Sequence, residues 1–370
     1  MNSEQHRRQL SSQFAFCSPR ISMARMNHKL LILALLLLGS LTCLAFDRKP
    51  HPFVSRIERL DPAIDAVLAP DAKIEKVAEG FRWAEGPTWY VEKDAAGKTI
   101  FNGIVFSDVL ANTSYRWQEG WDHAEVFLRP SGLYTNTPGF HERGSNGMTR
   151  DPAGNLIICQ HGERRVVRFE HGSFTVVADR FEGKRFNSPN DVCVKRNGDV
   201  YFTDPPYGLE GNEKSPLKEL DFSGVYRVTP DGKITLLNKE FKDPNGIAFS
   251  PDEKILYVAS TDVGEPIIAA FDVKDDGTIT NRRTFFDAKP FVDSKFAGLC
   301  DGIKADQAGN IWTGALGGVG IISPAGKLIG RLYTGEQTSN CNWGDDGSTL
   351  YITADYFLLR IKTKTRGAGW

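Results

Sequence analysis

The stretch Asn245-Gly-Ile-Ala-Phe-Ser-Pro-Asp-Glu-Lys-Ile-Leu-Tyr-Val-Ala-Ser260 decides the fold. It holds a polar leader, a short apolar strand, a Pro/Asp turn and a second strand rich in β-branched and aromatic residues. The same order recurs at 146–159, 190–203, 301–313 and 340–353. A looser copy starts at Glu85-Gly-Pro-Thr-Trp-Tyr and resumes at Ile104-Val-Phe-Ser-Asp108. That makes six units, with leaders roughly 40 to 60 residues apart. Further strand-like runs follow each hairpin, such as 165–169 and 173–177 in the second unit and 224–228 and 233–237 in the third. Four antiparallel strands per unit predict an all-β, six-bladed β-propeller of four-stranded antiparallel blades. No long segment carries helical apolar periodicity, which argues against a βαβ layout.

The ring is expected to close through its N-terminal strand. The last unit, 340–364, has strands for only three positions. Residues 73–78 precede Glu85 much as 233–237 precede Asn245, so this strand is expected to complete the final blade and remove two exposed edges. The propeller domain is therefore placed at 73–364, with a linker at 46–72 and a C-terminal tail at 365–370.

Residues 1–45 read differently. Met26-Asn-His-Lys29 precedes an unbroken apolar run at 30–38, and a small residue stands at Ala45. This is the pattern of a secretory signal peptide with an N-terminal extension, and its apolar run is short for a bilayer span. Cleavage after Ala45 fits better than lipidation of Cys43, because Leu41 and Thr42 poorly match a lipoprotein site. The expected destination is the periplasm or the medium. Cys159, Cys193, Cys300 and Cys341 form no CxxC pair and read as buried small residues. Asn112-Thr-Ser114 fits a glycosylation sequon. With 45 Lys and Arg against 46 Asp and Glu, the net charge of -1 offers nothing to nucleic acid or an anionic membrane. A small or neutral ligand is the expected partner.

In a propeller the innermost strands line a central channel and start at one rim, so equivalent repeat positions converge in space. The leaders are Glu85, Asn146, Asn190, Asn245, Asp301 and Asn340. Each carries a side-chain oxygen, and two are carboxylates, which is the donor set of a hard divalent cation. Ca²⁺ is expected, with Mg²⁺, Mn²⁺ or Zn²⁺ as alternatives. Zinc fits least well, since the seven histidines form no HxxxH pair. Asn-Gly and Asp-Gly are also common turn pairs, and one such leader alone would be read as punctuation. Six in register, with carboxylates only at Glu85 and Asp301, favour a site. The second strands end at the same rim, where 160–162, 204–208, 260–262, 314–318 and 354–356 would form walls. Among these His161 and Asp204 are candidate substrate contacts, although Asp204 before Pro-Pro also suits a turn. No GxSxG, HExxH or P-loop is present.

Several strings here resemble one family. Glu85-Gly-Pro, Asn187-Ser-Pro-Asn190-Asp191, Tyr201-Phe-Thr-Asp-Pro-Pro-Tyr-Gly208, Pro244-Asn245-Gly, Asp301-Gly and Asn340-Cys look like the gluconolactonase/regucalcin-like (senescence-marker-protein) family. The resemblance spans about 73–364. It implies a six-bladed propeller with one catalytic divalent cation on Glu85, Asn190, Asn245 and Asp301, and makes Asp301 the base. It gives Asn146 and Asn340 a substrate-binding or supporting role. The insertion between Trp89 and Ile104 lengthens the first unit. The implied activity is hydrolysis of a sugar lactone of the gluconolactone type. A propeller hydrolase of other esters, such as organophosphates, or a non-catalytic sugar- or calcium-binding propeller are the alternatives.

Overall fold

The computed structural model describes residues 52–291, 300–315 and 317–369. The segment read as a signal peptide, Cys43 included, and Leu316 in one expected wall lie outside the described residues. Among the described residues there are strands and three short 3-10 turns but no α-helix.

The expected hairpins form. Pro244–Phe249 pairs with Ile255–Ser260, Ser145–Arg150 with Leu156–Gln160, Val192–Val194 with Val200–Asp204, and Ile303–Ala305 with Ile311–Ala315. Turn chemistry explains the repetition. In Asp151-Pro-Ala-Gly-Asn155 the aspartate Oδ1 accepts from the Ala153 and Asn155 amides, and Gly154 supplies the positive φ. Asp306-Gln-Ala-Gly-Asn310 repeats these bonds, and its Oδ2 also accepts from the Asn310 amide and the Trp312 indole.

The architecture is all-β and propeller-like, yet the sheet count departs from expectation. Five sheets of four or more strands are present among the described residues, not six separate blades. Three have four strands, beginning at Ser145, Val192 and Pro244. A fourth, beginning at Ile303, gains a fifth strand from Arg56–Arg59, which pairs with Leu328–Tyr333. The fifth sheet merges the regions expected to be first and last blades. Its six strands run Asn340–Gly344, Thr349–Lys362, Glu75–Lys93, Thr99–Asp108, Thr113–Trp117, Glu125–Leu128. The reason is continuity of the backbone: Glu75–Lys93 pairs through Glu75–Glu79 with Phe357–Arg360, and further along with Thr99–Asp108.

The flanking stretches are also more ordered than the sequence suggested. The 46–72 region, read as a linker, supplies the Arg56–Arg59 strand and the turn Pro62–Ala66, whose Ile64 is fully buried. The tail docks too. The Ala368 amide donates to the Ala305 carbonyl, and Gly367 packs on the Trp343 indole.

Apolar packing sits between sheets. Clusters such as Ala248, Tyr257, Ile268, Ile303, Ile311 and Ile322 join neighbouring sheets face to face. One cluster lies instead inside the six-stranded sheet, where Ala78, Phe81, Trp89, Phe106 and Trp117 meet Tyr351 and Leu358. The four cysteines are free, and all but Cys193 are buried. Asn112, the sequon residue, spends its amide on the Leu133 carbonyl and its Oδ1 on the Ser131, Gly132 and Leu133 amides.

Candidate metal and active site

The six leaders come together as a cycle in sequence order. Where a glycine follows a leader, its missing side chain leaves room for the next unit: a Cβ on Gly86 would overlap the Asn146 carbonyl, and one on Gly147 the Asn190 carbonyl and Asp191 carboxylate. A Cβ on Gly246 would overlap the Asp301 carbonyl, and one on Gly302 the Asn340 amide. Asn190 is linked to Asn245 through Thr203, whose carbonyl accepts from the Asn190 amide (2.8 Å) and whose hydroxyl donates to the Asn245 carbonyl (2.7 Å). Asn340 returns to the start, its Nδ2 donating to Glu85 Oε2 at 3.1 Å. The leader glycines are thus packing requirements between units as well as turn residues.

All six leader side chains are buried or nearly so; Asp301, the most exposed as a residue, falls in the intermediate class. Asn146 Oδ1, Asn190 Oδ1 and Asn245 Oδ1 are buried without a hydrogen-bond donor. Three buried amide oxygens lacking donors are costly unless something electropositive meets them. The carboxylates supply the charge. Burial raises the Asp301 pKa well above the usual range, and the charges of Glu85, Asp191 and Glu142 push it further, against a hydrogen bond from Asn245. Burial likewise raises Glu85, joined by Asp191 and opposed by Asn340, the Gly86 amide and Lys304. Glu85 acts on Asp301, and Asp191 acts on both, so the three carboxyls share one electrostatic environment. Oxygen donors of this kind, with no thiolate or imidazole among them, are of the chemistry that suits a hard divalent cation. Among the described residues no three or more His, Cys, Asp and Glu side chains are placed to hold a metal ion by themselves.

The remaining predicted residues take different places. Asn340 has no free oxygen: its Oδ1 accepts from the Cys341 amide at 2.9 Å and from Lys304 at 3.4 Å, so it orients Glu85. Asp204 supports a loop. Its Oδ2 accepts from the Asn187 amide at 2.8 Å, and burial lifts its pKa to about 7. Ser188 adds a second tie, donating to the Pro205 carbonyl at 2.6 Å, and together they fix the loop that carries Asn190. His161 is fully buried, with Nδ1 2.9 Å from a Glu142 carboxylate oxygen and no hydrogen-bond partner at Nε2. Tyr207 bonds Thr261 through its hydroxyl, and its phenol is held protonated first by burial, then by Asp243, Asp301 and Glu142.

Sequence reasoning missed Asp191, Glu142 and Lys304. Asp191 and Lys304 left a signal: the one is a carboxylate where four units have glycine, the other a cation three residues past a leader. Glu142 sits in a loop outside the repeat, and nothing in the pattern marks it. A cavity of about 620 Å³ lies at the other ends of the inner strands. Thr88, Thr149, Cys193, Ala248, Lys304 and Trp343, each three residues after a leader, line it.

Fold and site together describe an all-β, propeller-like protein with an oxygen-donor centre at the start of its inner strands. The sequence profile described as SMP-30/Gluconolactonase/LRE-like region matches residues 83–355, and the chain belongs to that family. It is 38% identical over 325 residues to a gluconolactonase of Zymomonas mobilis, covering 85% of this chain and 88% of that one. A solved gluconolactonase from Xanthomonas campestris superposes with a TM-score of 0.69 at 30% identity, covering 85% of this chain and 99% of that one. The regucalcin of Agrobacterium tumefaciens, a calcium-binding protein, is 18% identical with a TM-score of 0.59 over 79% of this chain and 95% of that one, a likeness of fold.

Proposed function

We propose that this protein is a lactonase that hydrolyses a sugar lactone of the gluconolactone type at the leader ring. The relatives named gluconolactonase support the reaction class. The observation that carries the site is the meeting of Glu85 and Asp301 with buried amide oxygens that lack donors. A divalent cation bound there, Ca²⁺ in our reading, supplies a Lewis acid for the lactone carbonyl. Asp301 takes a proton from the attacking water and returns it to the ring oxygen as the C–O bond breaks. Asn340 holds Glu85 in place, and the Asp204–Asn187 contact holds the loop of Asn190. Tyr207, Thr261 and the His161–Glu142 pair offer polar groups suited to a polyol.

In the same reading the six-stranded sheet comprises two blades sharing long strands, which makes a six-membered ring closed by Glu75–Glu79. The cluster inside that sheet, around Trp89 and Tyr351, supports the division. An experimental structure in which Glu75–Lys93 runs flat through one undivided blade would refute it.

The decisive experiment measures lactone turnover by the wild type, by the same protein after chelation, and by Asp301→Asn. Both treatments are expected to lower kcat by about a thousandfold or more, with the variant's melting temperature little changed. Turnover that survives in Asp301→Asn ends the assignment of the base. Hydrolysis of aryl phosphate esters in preference to lactones would transfer the site to the other ester class.

A further inference from the structure

Resting on that reading of the leader ring as a cation site, we infer that Lys304 is its built-in counter-ion, setting the ring's charge to suit a divalent ion. Five of the six positions three residues after a leader are uncharged: Thr88, Thr149, Cys193, Ala248 and Trp343. Only Lys304 differs. Its side chain, 13% exposed, points its ammonium back toward the leaders. The ammonium donates to the Ile303 carbonyl at 3.0 Å and to Asn340 Oδ1 at 3.4 Å, and lies 3.5 Å from Asp191 Oδ2. Three oxygens therefore match its three N–H donors. Asn340 passes the contact on, since its Nδ2 holds Glu85 Oε2.

Asp191 makes the counter-ion necessary. It is 1% exposed, and its charge acts on both Glu85 and Asp301. In the ionised form that would bind a cation, Glu85, Asp191 and Asp301 set three carboxylates against one ammonium, which leaves a formal charge of minus two. A divalent cation neutralises that set. Glu142, which also acts on Asp301, turns its carboxylate to His161 instead. Without Lys304 the set carries minus three, and the leader ring loses the group that separates it from the cavity beyond.

Charge selectivity tests this directly. Ca²⁺ and Tb³⁺ affinities are measured by calorimetry on the metal-stripped whole protein, for the wild type and for Lys304→Met, Lys304→Gln and Lys304→Arg. Removing one positive charge favours the trivalent over the divalent ion by one further charge's attraction, about tenfold or more in the affinity ratio at short range. Lys304→Met and Lys304→Gln are expected to raise the Tb³⁺-to-Ca²⁺ ratio by that factor, and Lys304→Arg to keep the wild-type ratio. If the two neutral variants weaken both ions in parallel, Lys304 only packs, and the inference is overturned. If the wild type binds neither ion, the cation reading itself falls, and the counter-ion with it.

Discussion

The two ends of the inner strands differ in what they ask for. At the leader end the side chains crowd, carboxyls are driven toward their protonated forms and amide oxygens lack donors. At the far end there is room, about 620 Å³, with Arg150, Lys195, Arg196 and Lys304 among its lining and with Trp89, Phe249 and Trp343 beside them. Among the described residues lining that end, none carries a buried side-chain acceptor without a donor, and the Trp343 indole N–H is the unpartnered group there. Volume points to one mouth and unmet polar chemistry to the other, and burial with like charges shifting several carboxyls at once is what marks the leader end as the candidate site.

The comparison breaks most readily at Gly302. An alanine there would drive its Cβ into the Asn340 amide, which must then leave Glu85. Gly302→Ala is expected to cost roughly 2 kcal/mol of stability and at least about tenfold in Ca²⁺ affinity, read by denaturant unfolding and calorimetry. An unchanged affinity would mean that Asn340 does not position the site.

A milder probe is pH. A carboxyl whose pKa is raised on folding favours the folded state below the ordinary carboxylate range, and that help fades as pH climbs through the raised value. Asp204, at about 7, with Glu85 and Asp301 also raised, places the loss between about pH 4 and somewhat above pH 7. The metal-free protein is therefore expected to melt lower at pH 8 than at pH 5.5. Added Ca²⁺ should raise the melting temperature more at pH 8, because it binds the ionised form. An equal gain at both values would detach the leader carboxyls from metal binding.

The smallest effect is expected at the far end. The Arg196 side chain is 66% exposed there. Its guanidinium donates to the Pro251 carbonyl at 2.8 Å but stands 3.9 Å from the Glu253 carboxylate, whose closer bond, at 2.8 Å, is to the Arg196 backbone amide. Arg196→Ala should leave lactone turnover within about twofold and stability within about 0.5 kcal/mol. A large loss of turnover would give the far cavity a part in the reaction.

Much of the candidate site was legible because the repeat is. Asn146, Asn245 and Asn340 each open an inner strand, and a shared place in the unit forces a shared place in space. Glu85 and Asp301 stood out as the carboxylates of that set. Asp204 read as a wall residue, and only its bond to the Asn187 amide shows that it braces a loop. The Arg56–Arg59 strand was hidden because Arg-Ile-Glu-Arg has little apolar content; its pairing with Leu328–Tyr333, and Ile64 buried beside Gly330, reveal it. The sheet count was beyond reach of pattern alone, since whether Glu75–Lys93 bends or runs on is set by backbone pairing on both its edges.

From the amino-acid order alone came the strand hairpins, their recurrence and the oxygen-bearing leaders, because period, turn chemistry and residue type are local properties. Which charges face one another was decided only by the folded chain. Asp191, Lys304 and Asn340 touch across 113 and 36 residues of sequence, and their balance depends on burial that no local pattern encodes.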